Sequence, residues 1–548
     1  MKKKCLSLLL VGAMVLSLFA ACGKKETPAA ETTTDEETET ETTEESTPAE
    51  ATGVIGKAVS IASADPVSLT PLRATGNGKD VLNSIYEYLI DKDGFGGEAY
   101  GVIAKEWHWD GDDFIVEIYD YVHDQAGNHI TADDVVFSYV TPQELGYANN
   151  KLYTYCSGVE ALDEYTVVFH FLPERTDYFN GWLDMMTAQG IFSQAAWEAS
   201  TDEMAQHPVG TGRYTCTEFV DGAYCVLQRY DDYWQTDETK IGRQYQANVD
   251  QITLKFITDP QQIVNALKTG EIDYNYAIAK EALPEFEASP DWSVAQCYDY
   301  KLFCAMPNCL EGLPFNDINL RAAFFYALNV DDIIAALGGE DFAKKVYTYG
   351  VSQAQSYNPA VETEDNYYTK TDLDLAKEYL EKSNYNGETI KIWYETGSYK
   401  EQLEAVALIA GVAFESLGIK YEILTKDSDI DSIWKQTNSD WDLVFFNMGG
   451  NGHVLDYTRG IFDTLEKEGC AGNENDPKLD ELFQSTYCES GKSQENVDTF
   501  LQYITDQYYI YGLFQRITYD VYLADMISDT SVKTFRNWII PGSFEYLR

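Results

Sequence analysis

Hydrophobic and polar positions repeat with two different periods along this chain, and each change of period marks an element. From Thr389, ETIKIWYETG alternates like a strand, with Ile390, Ile392 and Tyr394 on one face. KEQLEAVALIAGVAFESLG repeats at helical spacing and stops at Gly418. IKYEILT alternates again through Ile419, Tyr421 and Ile423. DSDIDSIWKQTN is short and compatible with a helix, and WDLVFFNM is a continuous apolar run of the buried-strand type. Strand, helix, strand, helix, strand predicts an α/β fold with a parallel, doubly wound sheet and right-handed crossovers. In such open sheets ligands bind beyond the carboxyl ends of the strands. Here those ends are Glu395-Thr396-Gly397-Ser398-Tyr399 and Asn447-Met448-Gly449-Gly450-Asn451. The second loop carries Gly449, Gly450 and Gly452, which lets backbone approach a ligand closely. The same glycines also suit a merely tight connection.

Three other stretches read as scaffold helices. In DPQQIVNALKTG, Asp259 caps, Pro260 suits the first helical position and Gly270 the exit. In INLRAAFFYALN, Leu320, Ala323, Phe324, Ala327 and Leu328 form one buried stripe. In TKTDLDLAKEYLEKSNYNG, Thr371 and Asp374 predict a capping box, with Gly387 beyond the stop.

The first 53 residues follow neither period. Lys2, Lys3 and Lys4 precede an apolar run from Leu6 to Ala21, the layout of a secretory signal. That run is short of the ~20 apolar residues that span a bilayer. Ala20-Ala21-Cys22-Gly23 resembles the lipobox of bacterial lipoproteins, which implies cleavage after residue 21 and lipidation of Cys22. Phe19 stands where such boxes usually carry leucine. Residues 22–53 hold ten acids, many threonines and almost no large apolar side chains, too little to offset the entropy of folding. They are expected to form an extended stalk between a lipid anchor and a folded part that begins near Val54.

Nearly 500 residues remain, too many for one ordinary core, so more than one domain is expected. The formal charge is −51; the leader adds three lysines and the stalk two lysines against ten acids, which leaves −46 for the rest. Nucleic acid is not an expected partner, because phosphate binding needs clustered Lys and Arg. Of ten cysteines, eight lie beyond Cys22, none in a CxxC pair, and with six histidines no zinc spacing arises. Cys216 and Cys225 flank Asp221-Gly222, a hairpin signal. A two-residue turn there sets Cys216 opposite Leu227 and leaves the two cysteines as diagonal neighbours ~7–8 Å apart, beyond usual disulfide reach.

Several stretches resemble, in order, the extracellular solute-binding family 5, the oligopeptide- and dipeptide-binding receptors of ABC importers. DPVSLTPLRATGNGKDVLNSIYEYLI is similar to the family's opening segment. AYGVIAKEWHWDGDDFIVEIYD and GNHITADDVVFSYV are similar to its next block. HPVGTGRYTCTEF matches its Gly-Thr-Gly-Pro-Tyr signature, with Arg213 in place of proline. RYDDYW, the Asp259 helix with GEID, and LPFNDINLRAAFFYAL follow, and DPKLDELF comes near the end. The resemblance implies a two-lobe periplasmic-binding-protein-like fold of class II type that closes on a ligand. Lobe 1 would comprise residues 54–296, with an extra subdomain at about 92–206; lobe 2 residues 297–510; and 511–548 would return to lobe 1. The crossings fall near Cys297 to Phe303 and Tyr508 to Phe514.

The function so implied is a substrate-binding lipoprotein that captures peptides and delivers them to the permease of an ABC transporter. It would be a monomer, extracytoplasmic, and held at the membrane through Cys22. The ligand-binding residues would be Thr75, Gly76, Asn77, Tyr399, Asn447, Met448, Gly449, Gly450 and Asn451. Peptide-binding relatives hold the amino group with an aspartate at the position of Asn451, and Asp456 is the nearest acid here. Relatives that carry sugars or nickel complexes keep those ligands open, and His453 lies in the right loop for the latter. An enzyme has little support. Carboxylate pairs arise by chance among 90 acids, and there is no HExxH or GxSxG. Gly491-Lys492-Ser493 ends like a phosphate loop, but Thr486 stands at its first glycine. No cofactor is expected.

Overall fold

The computed structural model describes residues 55–72, 78–147, 150–397, 399–426, 440–463, 476–532 and 541–547. Cys22, the stalk, Thr75, Gly76, Asn77, Ser398 and the DSDIDSIWKQTN segment lie outside the described residues. The strands in chain order are β1 (Ile55–Ser63), β2 (Ile90–Lys92), β3 (Ala99–Gly101), β4 (Ala104–Asp110), β5 (Asp113–Ile118), β6 (Cys156–Ala161), β7 (Thr166–Phe171), β8 (Tyr214–Val220) and β9 (Tyr224–Arg229). They continue as β10 (Val249–Phe256), β11 (Tyr274–Asn275), β12 (Trp292–Pro307), β13 (Ala343–Lys345), β14 (Thr389–Glu395), β15 (Lys420–Lys426), β16 (Leu443–Gly449) and β17 (Tyr511–Leu523). One mixed sheet runs β15-β14-β16-β12-β17-β11-β1-β10-β9-β8, with β13 joined to β17. A second sheet, β4-β5-β7-β6, is antiparallel, and β2 pairs with β3.

The α/β reading holds for the described residues of this stretch, β14, the helix Lys400–Leu417, β15 and β16. β14 lies between β15 and β16 and is parallel to both, so the switch point falls between β14 and β16. Ile390, Ile392 and Tyr394 are buried, and so is the apolar face of the helix Lys400–Leu417 that connects β14 to β15. β16 is apolar throughout its first four residues because β14 flanks it on one side and β12 on the other. The helix Ile318–Ala327 buries more than the predicted stripe: Arg321, Ala322 and Phe325 are also inside. Arg321 is tolerated there because its guanidinium donates to the carbonyls of Phe315, Asn316 and Gln507. Phe324 stacks on Phe414 with ring centroids 4.8 Å apart, which locks this helix to Lys400–Leu417.

Helix starts follow side-chain capping. Asp259 accepts from Gln262 N at 2.8 Å, Pro260 is the first helical residue, and Gly270 ends the helix at φ 72°. The Thr371/Asp374 capping box is corrected. The cap is Asp372, which accepts from Leu375 N at 3.0 Å, so the helix begins one residue later than the box requires. No described helix is long and apolar enough to cross a membrane.

Two long strands run antiparallel through the middle of the large sheet. β12 pairs with β17 from Trp292 to Tyr298 and again from Leu302 to Ala305, with a break in register between. Asp299 fills the break. Its carboxylate accepts from Lys301 N at 3.2 Å and from Arg516 Nε at 2.9 Å, while its carbonyl accepts from Gln515 Nε2 at 2.6 Å. Backbone groups that the ladder cannot serve are thereby satisfied. Arg516→Met should leave the buried Asp299 carboxylate without its cation. A loss of about 3 kcal/mol is expected, the low end for a broken buried pair because the guanidinium is partly open to solvent. Urea unfolding of variant and wild type measures it, and equal midpoints would remove Asp299–Arg516 from the stability of this strand pair.

Candidate functional site

The two predicted strand ends converge on the break in β12. Gly449 closes β16 opposite Lys301, and an added Cβ there would meet the Tyr300 ring at 2.9 Å. Asn447 and Met448 sit opposite Phe303 and Leu302 and are half-buried. Tyr399, at the end of the other loop, lies edge-on to Phe303 at 5.6 Å, with the Arg516 guanidinium over its ring at 4.9 Å. Tyr457 donates to Tyr300 O at 2.9 Å, and its ring lies where a Cβ on Gly450 would come within 2.5 Å. Bulk at Gly450 is therefore excluded.

The loop after β16 is clasped from outside. Gly452 adopts φ 125°, and a Cβ there would stand 2.0 Å from Gly96 N. Gly96 N and Lys92 Nζ both donate to Asn451 O, at 3.1 and 2.9 Å. Gln355 N donates to Gly452 O at 2.7 Å, and Gln355 Nε2 reaches Gly96 O at 2.6 Å. Close backbone approach is thus what the glycines permit, but the approaching backbone is the chain's own.

Asp456 folds back toward the strand end. It opens the helix Asp456–Phe462, and its Oδ2 accepts from Asn451 N at 2.8 Å and His453 N at 2.9 Å. Oδ1 accepts from Asn180 Nδ2 at 3.3 Å. Asn451 Nδ2 donates in turn to Asp184 at 3.3 Å. Asp184 is ion-paired with Lys151 at 2.9 Å and with Arg459. Burial opposes its charge, yet Arg459 and Lys151 outweigh burial and hold its carboxyl well below the usual range. Lys92 is pulled down by burial, against Asp456, Asp184 and Asp91. Lys79 falls to about 7 by burial, countered by Asp91. Asp91 is raised by burial although Tyr245 and Lys92 N donate to it.

Five ionisable groups therefore lie on or next to Asn451 through its contacts, Lys92, Asp184, Asp456, Lys151 and Arg459, with Lys79 and Asp91 beyond them in the electrostatic network. Sequence reading reached only Asp456. Asp184 in GWLDMM and Lys92 in LIDKDG carry no local signal, because their partners lie 267 and 359 residues away. Nearby, Arg175 and Asp463 form a buried ion pair at 3.2 Å. His453 is turned inward. Its Nδ1 accepts from Leu455 N at 3.1 Å and its ring packs on Phe179 at 4.7 Å, so Nδ1 is engaged within the fold. Among the described residues no group of three or more His, Cys, Asp and Glu side chains is placed to hold a metal. A surface depression of about 570 Å³ lies elsewhere, lined by Ala336, Lys400, Glu404, Leu408 and their neighbours.

Burial holds the His453 imidazole neutral down to about pH 4. An unfolded histidine titrates near ~6.5, so between those values the unfolded chain binds more protons than the folded one. Stability from this ring is then full above ~6.5 and falls with pH toward 4, by up to about 3 kcal/mol. Urea unfolding from pH 4 to 7 should show a shallower acid slope in His453→Gln than in wild type. Parallel slopes would mean the ring charges within the fold.

Residues 98–464 match the bacterial extracellular solute-binding proteins, family 5 Middle. The oligopeptide-binding protein AppA of Bacillus subtilis is 26% identical over 227 residues, 40% of each chain. The chain spans half or less of the length of the first curated relatives it matches. The ABC transporter-associated periplasmic binding protein DppA of Helicobacter pylori, solved with the peptide STSA, superposes with TM-score 0.69 at 17% identity, over 90% of this chain and 99% of that one. NikA of Brucella suis, solved with Fe(III)-EDTA, gives TM-score 0.71 at 18% identity, over 89% of this chain and 99% of that one. These likenesses to solved structures show the two-lobe periplasmic-binding-protein type of fold.

Proposed function

Because this chain belongs to the bacterial extracellular solute-binding proteins of family 5, we propose that it is the extracytoplasmic receptor of an ABC importer, capturing peptides and handing them to a membrane permease. The observation that carries the reading is the family match across residues 98–464, which includes the whole Gly449–Asp456 loop. The named peptide receptors among its relatives support the ligand class. The family's members are solute-binding proteins rather than enzymes, and this chain is read as returning its ligand unchanged. Lobe 1 is assigned to residues 54–296 with 511–548, and lobe 2 to 297–510, the chain passing between them along β12 and β17. Closure then corresponds to the contacts of Asn451, Asp456 and Arg459 with Lys92, Asn180 and Asp184.

The ligand is assigned to the strand ends at Tyr399 and Asn447–Asn451, with Asp456, and to Thr75–Asn77. A peptide's ammonium leaving water needs a carboxylate, since an unpaired buried charge is strongly penalised. Asp456 is the nearest carboxylate to the loop amides, and Lys92 already lies in its field. A neutral oligosaccharide would instead suit the Asn451 amide, which donates and accepts hydrogen bonds without charge. A nickel complex is the other alternative, for which the inward-turned His453 engages Nδ1 with Leu455 N.

Mass spectrometry of what co-purifies with the native protein should find peptides, intact after overnight incubation. Calorimetry with that peptide should show Asp456→Asn weakening it by at least about 30-fold, the scale of a truncated buried charge pair. Equal affinity would remove Asp456 from the site, and a neutral oligosaccharide as native ligand would overturn the peptide reading. Anchorage through Cys22 is supported by the Ala20-Ala21-Cys22-Gly23 box. Two acyl chains or more are required for stable attachment. Palmitate labelling should therefore vanish in Cys22→Ala, and wild-type labelling of that variant would place the anchor elsewhere.

A further inference from the structure

The β8–β9 hairpin carries a pair of sulfurs that the binding role does not use. A plain two-residue turn leaves Cys216 and Cys225 as diagonal neighbours too far apart to join. The structure departs from that in two compensating ways. The turn has three residues, Asp221-Gly222-Ala223, closed by Ala223 N to Val220 O at 2.9 Å, with Gly222 at φ 72°. A register shift between Cys216 and Glu218 then takes up the extra residue. Cys216 still lies opposite Leu227, as the shorter turn would have it, but through a bulge at Thr217. A bulge bends its strand and raises the local twist, which carries one side chain toward its diagonal neighbour. The two Sγ atoms end 3.6 Å apart.

We propose that Cys216 and Cys225 are a dithiol–disulfide pair that closes when the protein meets a disulfide donor outside the cytoplasm. Both are thiols in this structure. Bonding requires the sulfurs to approach from 3.6 Å to about 2.0 Å, within reach of a side-chain rotation. Their surroundings divide the roles. Cys216 is half-buried and can be approached, whereas Cys225 is fully buried among the residues that pack under β8 and β9. The two sulfurs share one contact, in which either can donate, and Cys216 is the more open of the two. Cys216 is thus the attacking thiolate and Cys225 the resolving thiol.

The exchange balances without any group from the protein beyond these two. The Cys216 thiolate attacks one sulfur of a small-molecule or protein disulfide, the donor's S–S bond breaks, and one donor thiol leaves. Cys225 then loses its proton and attacks Cys216 in the mixed disulfide, releasing the second donor thiol. Two protein thiols and one disulfide become one protein disulfide and two thiols, the donor taking two electrons and two protons. The oxidising side of the membrane, where this family works, favours that direction. The product would pin β8, which ends the large sheet among the described residues and pairs there with β9.

The sequence makes the test direct. Arg213 and Arg229 bracket both cysteines with no lysine or arginine between, so trypsin releases them in one peptide, Tyr214–Arg229. The folded full chain is incubated with oxidised glutathione, trapped with iodoacetamide and digested. The peptide should be lighter by two hydrogens and unalkylated, and should take two alkyl groups only after reduction. In Cys225→Ser the reaction should stop at Cys216 joined to glutathione, while Cys216→Ser should leave Cys225 unmodified in the fold. Amides of β8 should exchange with solvent more slowly in the oxidised protein than in the reduced one. Two alkylated cysteines after prolonged exposure to oxidised glutathione would overturn the proposal, as would linkage that forms only in urea.

Discussion

A backbone amide or carbonyl buried without a partner is costly, and in this fold the obligation is sharpest where β12 and β17 fall out of register. One side chain, Asp299, meets it by serving Lys301 N and Arg516 while its own carbonyl takes Gln515. The rest of the functional region is referenced to that point. Tyr300 is held there, Gly449 must be bare to pass it, and Tyr457 is tied to its carbonyl. Tyr399 reaches the same place through Phe303 and Arg516. Side chains as far apart in sequence as Asp299 and Arg516, 217 residues, are thus positioned by one irregularity in a ladder.

Electrostatics add a second layer. The charges around Asn451 are buried enough that each needs its partner, and the pairs cross between Lys92–Asp184 and Asn451–Arg459. Such pairs gain little over an apolar contact but cost much when one member is lost. They therefore define the arrangement of these segments more than they stabilise it.

The sequence was legible where local rules decide. Ile390, Ile392 and Tyr394 on one face, Asp259 before Pro260, and the helix ended by Gly418 all reappear because alternation, capping and positive φ act within a few residues. Thr371 lost the cap to Asp372, a competition between adjacent residues that spacing alone does not resolve. The strand ends and the switch point were legible as well, since they follow from element order. The charges around Asn451 were not. Asp184 and Lys92 meet Asn451 only through tertiary packing, and the bulge that joins Cys216 to Cys225 reflects a turn one residue longer than Asp-Gly suggested.

Among the described residues the strand order of the large sheet ends at β15 on one side and at β8 on the other. Strand ends of this sort invite a second chain to add itself by backbone hydrogen bonding. β15 answers with charge: Lys420 and Glu422 are exposed along it. A neighbour that docked there would have to desolvate these groups against its own carbonyls. β8 answers with irregularity, since the bulge at Thr217 interrupts the row of donors and acceptors that an incoming strand would copy. The two margins of the fold thus discourage fibre-like self-association by different physical means, one by solvation and one by broken register.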